Sequence, residues 1–124
     1  MRRLLSYLGQ SAWVACRHPR SLHLATLVRN YGLWRDSLRD GRTPLDDGVP
    51  WFTFDAIRFL EARLHALMVV FEYGVCGSTL FLGRRVGRLV SVEHDPKWAV
   101  AVAEAVALAG LSNWQLQVQE PASV

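Results

Sequence analysis

The sequence predicts an α/β fold: a partial parallel sheet of about three strands, preceded by an N-terminal helical segment. Three observations predict it. Two short apolar runs, residues 67–71 and 89–92, flank a turn holding Gly74 and Gly77 and a helix-like stretch over 78–86. That is the strand, turn, helix, strand order of a βαβ unit. Residues 114–119 (Trp-Gln-Leu-Gln-Val-Gln) alternate strictly, as a half-exposed strand does. Apolar residues before position 40 recur at helical spacing and not at the spacing of two that a strand requires.

Taken in order, residues 4–16 set Leu4, Leu5, Leu8, Ala12 and Cys16 along one helical stripe. His18-Pro19 ends it, because proline lacks an N–H and disfavours helix at the residue before it. A second helical pattern over about 21–39 places Leu24, Leu27, Val28, Tyr31, Trp34 and Leu38 on one broad face. Cys16, His18 and His23 match no common zinc spacing and lack a fourth ligand, so no metal site is expected. Residues 41–52 are dense in Gly, Pro and Asp and read as a linker. The expected organisation is therefore a helical segment over 1–40, a linker over 41–52 and an α/β domain over 53–124.

Within that domain, Ile57, Leu60, Leu64 and Leu67 form an apolar stripe, with Arg58, Glu61 and Arg63 on the wet side, which predicts a helix over 54–67. Trp51, Phe52 and Phe54 cluster at its start and are expected to anchor it as a hydrophobic staple. Asp95-Pro96 is a strong helix start, aspartate as N-cap and proline at the first helical position. The helix it opens, over 97–109, has only Lys97 and Glu104 as charges before Gly110. A helix so apolar all round expects cover on more than one side.

Bulk properties exclude several classes. At 51% hydrophobic and 20% charged residues the chain is not expected to be disordered. Net charge is +3, with fourteen basic residues scattered among eleven acids, and no basic stripe marks a nucleic-acid binder. No apolar run approaches the roughly 20 residues that cross a bilayer, so no membrane partner is expected. The opening Met1-Arg2-Arg3-Leu4-Leu5 looks like the start of a signal peptide, but Gln10, Ser11 and Arg17 interrupt the apolar stretch after it. Two cysteines, Cys16 and Cys76, suit free thiols in a reducing, cytoplasmic setting.

The candidate site lies around the glycine turn. Glu93, at the end of the second strand, comes 19 residues after Gly74, close to the roughly 20 that separate turn and ribose-binding acid in nucleotide-binding units. A G-x-G-x-x-G turn counted from Gly74 would need glycines where Cys76 and Thr79 stand, which argues against a dinucleotide. The phosphate loop ending in G-K-[ST] is also absent from the sequence.

Four segments in order, Pro50-Trp51-Phe52-Thr53-Phe54, Val70-Phe71-Glu72-Tyr73-Gly74, Gly77-Ser78-Thr79-Leu80 and residues 90–98 from Val90 to Trp98, resemble a group of class I, Rossmann-like S-adenosylmethionine-dependent methyltransferases. The resemblance implies S-adenosylmethionine as cofactor. It places Glu72 and Gly74 at the methionine end, with Tyr73 and Cys76 in the same loop. Gly77 and Ser78 complete that loop, Ser78 also capping the next helix. It gives Glu93 the ribose hydroxyls and His94 the adenine side. Asp95 remains structural.

Two departures from the family pattern stand out. Cys76 occupies the place of a second glycine, where close backbone approach favours glycine. The chain also stops after the third strand, where family members continue. The resemblance therefore implies a cofactor-binding half, inactive alone, with an unknown methyl acceptor and a second chain as one way to complete the sheet. Against it stands a non-enzymatic interaction module, or a gene remnant, docking a partner through an exposed sheet edge. A nicotinamide-dependent fragment is the weakest alternative.

Overall fold

A computed structural model of the chain describes residues 2–17, 24–38 and 41–119. The chain divides into two units, one ending at Arg42 and the other beginning at Thr43. His18 and His23, considered above as metal ligands, lie outside the described residues. Among the described residues no cluster of His, Cys, Asp or Glu could hold a metal ion.

The first unit is a pair of helices, α1 (Arg2–Arg17) and α2 (Leu24–Ser37). Tyr7 joins them: its hydroxyl donates to the Leu27 carbonyl at 2.9 Å, and its ring meets Tyr31 and Trp34 with centroids 5.3 and 5.0 Å away. Ser11 is the one buried residue among those described in this unit. The pair is therefore held by an aromatic cluster and not by a closed core.

The second unit contains α3 (Pro44–Asp47), α4 (Phe54–Glu61), β1 (Val69–Tyr73), α5 (Gly77–Gly83), β2 (Arg88–Glu93), α6 (Pro96–Leu108) and β3 (Trp114–Val118). Its sheet is parallel, in the order β1-β2-β3, so each crossover helix returns the chain to the next place on the same side. This is a Rossmann-like βαβαβ arrangement. The register pairs Glu72 with Ser91 and Glu93 with Val118. With side chains alternating across the sheet, Glu72, Ser91 and Glu93 share one face. The core lies on that face: Val75, Leu80, Val102 and Val106, with Trp114 and Leu116 packed against them.

Several local expectations change. The stretch read as linker contains α3, closed by a reciprocal cap in which the Thr43 hydroxyl accepts from the Asp46 N–H and Asp46 Oδ2 accepts from the Thr43 N–H at 2.7 Å. Helix α4 ends at Glu61, not Leu67, because the chain must turn before β1; Leu67 is almost wholly exposed. The start of α4 is capped by Thr53, whose hydroxyl accepts from the Ala56 N–H, while Trp51 and Phe52 are exposed and Phe54 is half-buried. Helix α6 is covered on one side only: Ala99, Val102 and Val106 are buried, Val100 and Leu108 exposed. Val28 of α2 is likewise exposed, outside the packed face assigned to it.

Candidate functional site

The C-terminal ends of β1 and β2 carry the candidate residues. Gly74 leaves β1 with φ +75°, a left-handed conformation that favours glycine. An added Cβ there would meet only Glu93 Oε2, at 4.0 Å, so the conformation and not crowding demands the glycine. Gly77 is the reverse case. A Cβ there would fall 2.0 Å from the Pro44 carbonyl oxygen and 2.4 Å from that of Val49. The sequence suggests backbone access for a ligand at Gly77; in the structure the chain's own 44–49 backbone occupies that close approach.

Glu72 is held by hydroxyls. Its Oε1 accepts from Thr79 Oγ1 and Ser91 Oγ, each at 2.7 Å, and its Oε2 from Ser78 Oγ at 3.0 Å. Ser91 Oγ in turn accepts from Trp114 Nε1 at 2.8 Å, and Thr79 Oγ1 from the Cys76 N–H at 3.1 Å. The carboxylate thus ties together β1, β2, β3 and the start of α5. Thr79 and Ser91 are fully buried, and such hydroxyls require partners. Ser78 spends its hydroxyl on Glu72 and does not cap α5, whose N-cap position is Cys76.

Glu93 is 4% exposed. Its Oε2 accepts from the Val75 N–H at 2.9 Å, and its Oε1 from the N–H groups of His94 and Asp95 at 2.8 and 3.0 Å. His94 Nδ1 lies 2.9 Å from Oε1, with the imidazole mostly in solvent. Burial raises the carboxyl pKa, but the amide hydrogen bonds from Asp95, Val75 and His94, with the nearby His94 charge, outweigh it and leave the group below its ordinary value. Val75 is fixed from its other side too, since Trp98 Nε1 donates to its carbonyl. Asp95 caps α6 as the sequence predicts, accepting from Lys97 and Trp98 N–H at 2.9 and 3.3 Å.

The structure therefore brings Glu72, Gly74, Cys76, Gly77, Ser78, Glu93 and His94 to one end of the sheet. Tyr73 alternates to the opposite face and is exposed. Cys76 is half-buried, with a free thiol. Sequence reasoning missed Thr79, Ser91, Trp98 and Trp114. Ser91 had a usable signal: a hydroxyl in the middle of an apolar strand must find a partner, and parallel register sets it beside Glu72. No family model, curated protein or solved structure matches the chain.

Proposed function

We propose that the chain is the S-adenosylmethionine-binding part of a class I methyltransferase. The observation that carries this reading is the placement of Glu72 and Glu93 near the carboxyl ends of adjacent parallel strands, with Glu93 tied through the Val75 N–H to the left-handed turn at Gly74. Ligands of open α/β sheets bind outside those strand ends. A carboxylate offers about four acceptor positions. On Glu93, Oε1 takes two amides and Oε2 one, so Oε2 keeps a place beside Gly74, where no side chain stands. Glu72 Oε2 likewise accepts a single hydroxyl. This set of acceptors fits a ligand that brings donors, hydroxyls and an ammonium, and no phosphate.

When bound, S-adenosylmethionine supplies an electrophilic methyl group. The chain's own contribution is placement: Glu93 accepts ribose hydroxyls, Glu72 faces the ammonium, and His94 stands beside the base. Holding reactants in position is the chief catalytic device available to such a site. The test is a thermal melt of the full chain with increasing S-adenosylhomocysteine. A ligand that binds only the folded state stabilises it by mass action, by about 2.7 kcal/mol at a hundredfold excess over Kd, and so raises the midpoint. Glu93→Gln should lose that ligand-dependent rise relative to its own unliganded midpoint. No rise in wild type or in Cys76→Gly overturns the reading.

A second reading rests on a different observation. Val69 and Tyr73 are 71% and 86% exposed on β1, which among the described residues pairs on one side only. That open edge suits an interaction module that takes up a partner strand. Unchanged melts in both cofactor tests, with a captured strand at β1, would favour it.

A further inference from the structure

The charge of the chain is divided along its length. Up to Arg42 it carries eight arginines against two aspartates, a net +6; from Thr43 onward it carries six Lys and Arg against nine Asp and Glu, a net −3. The overall +3 conceals this division, and asymmetry of that kind is a signature of units that meet polyanionic surfaces.

The first unit also leaves apolar surface uncovered. Helix α1 contains no acidic residue. At about 100° per residue, Leu5, Leu8, Ala12 and Cys16 share one flank, and all four are exposed, Leu5 at 64%. The flank continues into an open groove of about 200 Å³ between the helices, lined by Leu4, Tyr7, Leu8, Leu27, Val28 and Tyr31. At the polar border Trp13 is 59% exposed, with the Arg17 guanidinium 4.5 Å from its ring centroid.

We propose that this face of the first unit docks on the surface of an anionic lipid membrane, with α1 lying in the headgroup plane. A helix with leucines on one flank and arginines on the other matches the demands of that plane. Tryptophan favours the same depth, because its ring is apolar and its N–H is polar. Arginines near a negatively charged leaflet are attracted to it. Nucleic acid would use the arginines and leave Leu5 and Leu8 with no role. Among the described residues no helix is long and apolar enough to cross a membrane; lying on a surface is a separate demand, one that the sequence expectation of no membrane partner did not consider.

The test is flotation of the full chain with vesicles of phosphatidylcholine alone and of phosphatidylcholine with phosphatidylserine. The chain should bind the anionic vesicles, and added salt should weaken binding. Leu5→Glu should reduce it about tenfold or more, by removing a leucine from the apolar flank, and Arg3→Ala about fivefold. Both sites are exposed, so an unchanged far-UV circular dichroism spectrum verifies that each variant folds. Equal binding to neutral vesicles, binding to neither, or full binding by Leu5→Glu overturns the proposal. So does a dimer, or a complex with single-stranded RNA, that forms through this face while vesicles are ignored.

Discussion

Glu93 and Gly77 set the strictest demands on single side chains. The Glu93 carboxylate satisfies three backbone N–H groups in a buried position, and charged hydrogen bonds of this kind contribute about 1.5–3 kcal/mol each. Its pKa is lowered in the folded state, so the unfolded chain binds the proton more readily. Stability from this group is therefore complete above the ordinary carboxylate range and is lost as pH falls through the folded value. We expect the melting midpoint of wild type to fall on acidification, and Glu93→Gln to be less stable near neutrality with a flatter acid limb. Melts across a pH series check both. At Gly77, a methyl group would displace the backbone at Pro44 and Val49. Gly77→Ala should cost about 1–3 kcal/mol, as overpacking does, in urea titrations.

At the scale of elements, β1 is the exposed part of the sheet. Phe71 and Tyr73 stack edge to face at 4.9 Å on its outer face, and a flat apolar edge invites pairing between chains. Phe71→Lys should lower concentration-dependent light scattering while costing about 1 kcal/mol from the lost aromatic pair. The sheet itself was legible from the sequence, because apolar runs, the Gly74 turn and the Asp95-Pro96 cap each mark a local necessity. What escaped was set by contacts remote in sequence. The stripe of Leu64 and Leu67 continues the α4 pattern, yet the return to β1 ends the helix at Glu61. Gly77 reads as ligand access until α3 is seen to rest against it. Nothing local to Glu72 shows that Ser91, nineteen residues on, is paired beside it and donates to its carboxylate.

For the whole molecule, the two units differ in what holds them. The second has a buried core between its sheet and helices; the first relies on the Tyr7, Tyr31 and Trp34 rings, with Ser11 the one buried residue among those described. Little buried apolar surface means low local stability. Denaturant should therefore unfold the chain in two steps, the helix pair first, with helical signal and second-unit fluorescence failing to coincide. The tryptophans make those steps separately visible, since Trp13 and Trp34 lie in one unit and Trp51, Trp98 and Trp114 in the other. Trp98 has a further use. Its indole N–H ends on the carbonyl of Val75, whose amide ends on Glu93. Any molecule that reshapes the turn must alter the indole's hydrogen bond, so the colour of its emission serves as a gauge of occupancy that needs no added dye.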